Sequence, residues 1–239
     1  MAEDFGAPCR ALVEFAGRPL LYRVAEALAR AETVSDVVAV QGPDRLLSET
    51  AADLPVVTAS GTGFIDSMAA GIGAFPNAER ILVATTDLPL LTPEAVDGFV
   101  RSCQKMHSGL SYPIVDVEAF ETAFPGRDKT VARLREGRFT GGNLAVVTRR
   151  FVLEQGPVIA RIFSRRKSPV RMARIFGLSF VVRLILGWLT VEDIERRGSE
   201  IVGAKVAAVP VSWPEIGFDV DDAEDLKLAR RFLDERKSV

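Results

Sequence analysis

The sequence predicts an α/β fold: a three-layer arrangement with a mostly parallel central sheet and helices on both of its faces. Three observations carry this. Segments with apolar residues at helical spacing alternate with short apolar runs of strand length, joined by short links, the pattern of a sheet covered by helices. The 239 residues are 48% hydrophobic and 26% charged, an ordinary balance for a chain that buries its own core. No repeat, low-complexity tract or linker breaks the pattern, so residues 1–239 are expected to form one domain.

Pro19 suits a first helical position, and Leu20, Leu21, Val24, Ala25 and Leu28 recur at helical spacing, which predicts a helix to about Ala31. Val37 to Val40 reads as a short buried strand, and Leu54 to Val57 as an edge strand because of Pro55. Phe64, Ile65, Met68, Ile72 and Phe75 mark a second amphipathic helix. Ile81 to Ala84 reads as a strand buried on both faces. Thr92 can cap the next helix, with Pro93 at its first position and Val96, Phe99, Val100 and Cys103 on its inner face. Ser111 to Val115 and Leu144 to Val147 read as strands. Helical segments near 149–162, 168–186 and 190–202 form a helical insert near 149–203. Lys205 to Val211 and Ile216 to Val220 read as strands. A last helix starts at Asp222, with acids in its first turn and arginines toward its end, both favourable to the helix dipole.

Charge and composition exclude several classes. There are 30 basic and 32 acidic residues, a net charge of −2, so nothing pulls the whole chain toward nucleic acid. The acidic N-terminus has no apolar run behind it and is not a signal peptide. Two cysteines make no disulfide framework, and the expected location is the cytoplasm. The one histidine, His107, excludes zinc spacings and suits a helix end. The most apolar stretch, 175–189, carries Arg183 and is shorter than the ~20 residues of a membrane span, so no transmembrane segment is expected. It reads as a buried helix; a contact helix for a membrane interface or a homo-oligomer is the other reading.

Four constellations could carry chemistry. Asp87 follows a buried strand and is held by Pro89, at the strand end where open α/β sheets bind ligands. Mg²⁺ takes one or two carboxylates plus substrate phosphates, so Asp87 is a metal candidate; a residue that merely closes the strand is the alternative. Asp219 and Asp221 would share one face of an extended segment and could hold a divalent cation, while Asp222 and Asp225 read as caps of the last helix. Thr140, Gly141, Gly142 and Asn143 permit close backbone approach to a ligand, or form a hairpin turn. Arg165, Arg166 and Lys167 could bind substrate phosphate, or be a solvated helix end. Weaker features are Gly61, Thr62 and Gly63, which lack the third glycine of a dinucleotide fingerprint, and Ser67, which lacks a nucleophile-elbow context.

Together these pieces resemble the MobA-like nucleotidyltransferases, which have a glycosyltransferase-A-like (nucleotide-diphospho-sugar transferase-like) fold, near the molybdenum cofactor guanylyltransferases. The resemblance rests on Arg10, Ala11, Leu12 and Val13 with Gly17, Arg18, Pro19 and Leu20; on Thr86, Asp87, Leu88, Pro89, Leu90 and Leu91; on Thr140 to Asn143; and on Phe218, Asp219, Val220 and Asp221 with Glu224, Asp225 and Leu226. It implies Mg²⁺-dependent transfer from an NTP to a small phosphorylated acceptor, with pyrophosphate released. Asp87 and Asp221 would be the catalytic metal ligands, with Asp219 a further one. Arg10 would stand where the family has its phosphate-binding lysine, and Gly141, Gly142, Asn143, Arg166 and Lys167 would contact substrate.

Two departures accompany it. The arginine-rich helical insert is not the plain guanylyltransferase pattern. The family's first strand and glycine-rich loop precede the segment that here begins the sequence; the expectation is a true start further upstream. A truncation without catalysis, or partial replacement by Met1 to Pro8, are the other readings. Two functions of other classes also fit: a glycosyltransferase using Asp219 and Asp221 to hold a nucleotide sugar, and a non-catalytic nucleotide-binding relative.

Overall fold

Strand side chains alternate between faces, so a sheet with helices on both sides must send its odd and even residues into two separate cores. That division is explicit in this protein. A computed structural model describes residues 6–47, 53–165 and 169–237. The six-stranded sheet contains β5 (Arg80–Ala84), β6 (Leu110–Asp116), β7 (Ala132–Leu134), β8 (Gly137–Gly141), β9 (Leu144–Thr148) and β10 (Val206–Val211). On one face, Leu82, Ala84, Val115, Leu144, Val146, Val209 and Val211 join a core with α1 (Leu20–Arg30), α3 (Pro93–Gln104), α4 (Val117–Ala123) and α9 (Ala223–Lys237). On the other, Ile81, Val83, Leu110, Ala145, Val147 and Val206 meet α2 (Phe64–Ala74), α5 (Arg149–Arg165) and α8 (Val191–Val202).

Strand direction is mixed in a particular way. β6 runs parallel to β10 and antiparallel to both β8 and β9, and β5 and β7 close the two ends through antiparallel ladders. β5, β6, β7 and β10 therefore point one way, and β8 and β9 return between them. The helix–strand alternation foretold the shared direction; β8 returns because the short link after β7 makes a hairpin and cannot make a parallel crossover, and β9 keeps the direction of β8 past the kink at Gly142. A separate parallel pair joins β3 (Ala39–Gln41) to β4 (Val56–Thr58), and a two-residue hairpin joins β1 (Glu14–Phe15) to β2 (Arg18–Pro19). The strand at Ile81 to Ala84 is only partly buried, and among the described residues it pairs with β9 alone.

Several local expectations change. Pro19 caps α1 from outside, one residue earlier than the expected first helical position. Ile216 to Val220 is not a strand: Pro214–Gly217 form a 3-10 turn and the chain then runs on without a ladder. Its polar backbone is used elsewhere, with Asn143 N–H donating to Ile216 O at 3.0 Å and Val220 N–H donating to Asp87 O at 3.0 Å. The stretch 168–186 breaks at Gly177, whose φ of +93° suits glycine, into α6 (Pro169–Phe176) and α7 (Leu178–Ile185). The buried-helix reading of 175–189 is overturned: Leu178 is 73% exposed, and Val182, Ile185, Leu186 and Trp188 are exposed with it. Hydrophobicity gave the helix but not its burial, because no other described element covers that face. Among the described residues no helix is long and apolar enough to cross a membrane.

The two cysteines are free, with Cys9 half-buried and Cys103 buried. Burial pushes the Cys103 thiol up to about 11, so it packs as a small apolar side chain. Asp97 has a structural task. Its carboxylate accepts from the Thr33 amide at 2.8 Å, the Thr33 hydroxyl at 2.7 Å and the Glu32 amide at 3.1 Å, tying α3 to the end of α1. Burial alone raises its pKa, but these donors, with Arg101 nearby, outweigh it and hold the pKa below the ordinary value. Stability from this group is therefore full above about pH 4 and lost as pH falls through the lower folded value. Asp97→Ala is expected to cost about 1–3 kcal/mol at neutral pH, read as a fall in the urea midpoint, and to flatten the midpoint's pH dependence below pH 4.

Candidate functional site

Four carboxylates and three cations meet beyond the ends of β5 and β6. Asp87 lies three residues past β5, in a turn whose Leu88, Leu90 and Leu91 are buried and so fix the backbone. Asp219 and Asp221 arrive from the irregular segment after the 3-10 turn, and the Val220 amide bond to Asp87 O docks that segment against the Asp87 turn. Arg10 comes from the 3-10 turn Arg10–Leu12. One of its nitrogens donates to Asp87 Oδ2 at 2.7 Å and to Asp221 Oδ1 at 3.1 Å, so a single cationic group bridges the two carboxylates. Burial alone would lower the Arg10 pKa; its bonds and charge interactions with Asp87 and Asp221 outweigh that and raise it.

The other two cations are Arg127 and Lys129, from the loop between α4 and β7. Arg127 Nε lies 3.0 Å from Asp225 Oδ1, and its Nη2 lies 3.9 Å from Asp219 Oδ1 and 3.8 Å from Asp221 Oδ2. Lys129 pairs with Asp219. No signal in the sequence marks this loop: its charges become meaningful only when the fold brings them some ninety residues along the chain to Asp219. The capping assignments hold in detail. Asp222 Oδ1 accepts from the Glu224 and Asp225 amides, and Asp225 Oδ2 accepts from the Asp221 and Asp222 amides.

Asp219, Asp221, Arg127, Lys129, Arg133, Gly141 and Asn143 line an open cavity of about 940 Å³. Gly141 and Asn143 are thus brought to its wall, while Gly142 is buried behind them. A side chain at Gly142 would press on Ile216 and Pro113, its Cβ 2.7 and 2.8 Å from their carbons. The glycine pair is not a hairpin turn: β8 and β9 run in the same direction along β6, and the pair forms the kink between them. Tyr112 donates its hydroxyl to Gly142 O, and burial followed by the Asp219 charge raises its pKa, so the phenol stays protonated. Arg166 and Lys167 lie outside the described residues. His107 is exposed at the end of α3, away from these groups.

One carboxylate oxygen of this constellation is buried without a hydrogen bond among the described residues: Oδ1 of Asp87, which is 8% exposed. A buried anionic oxygen left in this way is costly unless a cation or donor completes it. Among the described residues no group of three acidic, histidine or cysteine side chains is gathered for a metal. What is present is two neighbouring carboxylates, one with an oxygen to spare, which suits a cation that takes its remaining ligands from phosphate and water.

The chain belongs to the MobA-like NTP transferase domain family, whose model matches residues 2–166. It is similar to a solved structure described as a hypothetical transferase from Thermus thermophilus, with 38% identity over 94% of this chain and 93% of that one, and a TM-score of 0.80. At 13% identity it shares the fold of a CMP:2-keto-3-deoxy-manno-octonic acid synthetase solved with CTP, with a TM-score of 0.63 over 96% of this chain and 93% of that one. At 14% identity it shares that of molybdopterin-guanine dinucleotide biosynthesis protein A from Archaeoglobus fulgidus, with a TM-score of 0.54 over 95% of this chain and 91% of that one. No curated protein matches the chain.

Proposed function

We propose that this protein transfers a nucleotidyl group from an NTP to a small phosphorylated acceptor, releasing pyrophosphate, with Mg²⁺ held by Asp87 and Asp221. The observation that supports it is the buried oxygen of Asp87, without a hydrogen bond among the described residues, beside an Asp221 carboxylate that already shares a cation with it. When bound, Mg²⁺ would neutralise charge on the nucleotide phosphates. The chain's own groups do the rest. Arg10 is poised between the two carboxylates and can exchange them for phosphate oxygens, since a guanidinium binds either. Arg127 and Lys129 give the cavity a cationic wall that orients the acceptor phosphate, with Asp219 fixing the Lys129 ammonium. Gly141 and Asn143, which line the same cavity, offer backbone and amide groups to a ligand. No general base is needed, because the attacking acceptor phosphate is already an anion. Asp219 belongs with Lys129 and Arg127 more than with the metal pair.

The test is pyrophosphate release from each of the four NTPs with Mg²⁺, in the presence of a panel of phosphomonoesters. Release that needs both substrates supports transfer; transfer of an intact sugar from a nucleotide sugar without pyrophosphate would replace the reading with glycosyl transfer. Lys129→Ala is expected to raise the acceptor KM about tenfold to a hundredfold and to leave the NTP KM within a few-fold, since a charged hydrogen bond to phosphate contributes about 1.5–3 kcal/mol.

A further inference from the structure

α7 presents an apolar stripe that nothing described covers. Leu178, Val182 and Ile185 stand at i, i+4 and i+7 of one helical face, and Leu186 and Trp188 continue it past the helix end; all five are exposed. Contiguous exposed apolar surface of this kind marks a contact site rather than chance. The helix is not loosely hung. Leu189 is fully buried beneath it, the Arg135 amide donates to Leu189 O at 2.9 Å, and the Val191 amide donates to Glu136 Oε1 at 3.1 Å, which pins the unit to the β7–β8 hairpin. The stripe also runs into the cavity: Leu184 and Ile185 line its wall, and Ile185 is at the same time 74% exposed. Arg127, Lys129 and Arg133 line the same cavity. Arg133 is exposed and makes no ion pair among the described residues, with its Cβ close to Gly187 at the foot of the stripe. Arg174, in the last turn of α6, is exposed, and so is Arg183 on α7, which pairs with Asp193 at 3.3 Å.

We propose that the acceptor is a membrane-resident lipid phosphomonoester: its phosphate enters the cationic cavity while its hydrocarbon chains and the bilayer surface meet the α7 stripe. This rests on the nucleotidyl-transfer reading and names the acceptor class of that same site. The acceptor chemistry is matched on both sides, an anionic head to Arg127, Lys129 and Arg133 and an apolar tail to Leu184, Ile185 and Val182. A second copy seated on Ile185 would instead roof the cavity mouth. In the reaction, a phosphate oxygen of the lipid forms a bond to the α-phosphorus of the NTP. The bond from that phosphorus to the bridging oxygen breaks, and the electron pair leaves with pyrophosphate. Arginines beside an apolar helix face are the usual surface for such a contact, adding charge attraction to apolar burial.

The experiment is cosedimentation of the full chain with vesicles of phosphatidylcholine alone, phosphatidylcholine with phosphatidic acid, and phosphatidylcholine with phosphatidylserine. It is paired with pyrophosphate release using phosphatidic acid vesicles or glycerol 3-phosphate as acceptor, and with NTP binding by calorimetry. Expected are binding to the phosphatidic acid vesicles well above the other two, and pyrophosphate release favouring phosphatidic acid by more than about tenfold. Leu178→Glu with Val182→Glu should lose vesicle binding by about tenfold or more while NTP affinity stays unchanged; both sites are exposed, so folding is spared. No vesicle binding, equal binding to phosphatidylserine, or a wild-type dimer in gel filtration that the double variant converts to monomer would each overturn the proposal. Pyrophosphate release with glycerol 3-phosphate but not with phosphatidic acid overturns the lipid acceptor and leaves nucleotidyl transfer standing. Specific vesicle binding with no pyrophosphate from any NTP sinks the transfer reading and leaves the lipid contact in place.

Discussion

Asp87→Ala is expected to lower NTP turnover by roughly a thousandfold while leaving the thermal midpoint at or above that of the wild type. The two halves of this expectation come from the same atom. Asp87 Oδ1 is buried without a donor among the described residues, which leaves a desolvation cost there in the folded protein. Removing the carboxylate removes that cost. It also removes the Arg10 bond at 2.7 Å, but Arg10 keeps Asp221, and the backbone bond from the Val220 amide to Asp87 O survives any side-chain change. The proposed catalysis has no such second route, because in that reading a metal ligand worth several kcal/mol of charge stabilisation in the transition state would be lost with it. Steady-state pyrophosphate release and a thermal melt on the same preparation decide the matter. Turnover within a few-fold of wild type would end the assignment of Asp87 to the metal. A fall of several degrees in the midpoint would mean that the carboxylate is structural instead.

How much of this was legible in the sequence depends on whether the information was local. The helix at Leu20–Arg30, the strand at Ile81 to Ala84, the capped helix from Pro93 and the acidic start of the last helix follow from periodicity and capping, and the structure has all of them. Asp87 and Asp221 could be singled out because each stands in a motif with its neighbours. Arg127 and Lys129 could not: they sit in an ordinary charged turn, and their partners are about ninety residues away. The segment Ile216 to Val220 has the apolar alternation of a strand, yet its Val220 amide is spent on the Asp87 turn and its Ile216 carbonyl on the Asn143 amide at the kink, so it has no ladder to join. At 175–189 composition gave helix correctly, but burial depends on what a helix lies against, and Gly177 turns α7 outward onto solvent. Local propensity is silent on all three points.

Phe218→Ala is expected to be the most destabilising single change near the site, at about 3–5 kcal/mol, and to impair the site without touching it. Phe218 is fully buried and immediately precedes Asp219. Its ring centroid is 4.8 Å from that of Phe124, 6.0 Å from Phe232 and 6.4 Å from Phe120, with the Phe124 and Phe232 contacts edge-on. This cluster joins α4, the 3-10 turn and α9, and it is the only apolar anchor between the 3-10 turn and Val220 in a segment that has no strand ladder. Truncation leaves a cavity that three rings cannot close, since each is held by another aromatic neighbour. In a chain of this length the cost should lower the thermal midpoint by about 10 °C. Asp219 and Asp221 then lose the fixed backbone that sets them against Lys129 and Arg10, so at temperatures where the variant is still folded the KM for both substrates should rise. Phe218→Leu separates the two effects: it keeps most of the volume, should cost less than half as much, and should restore the substrate affinities with it. If Phe218→Ala melts like the wild type, the aromatic cluster does not hold this segment; if it melts early but binds both substrates normally, the acidic pair is placed by the Val220 amide and the Asp225 cap alone.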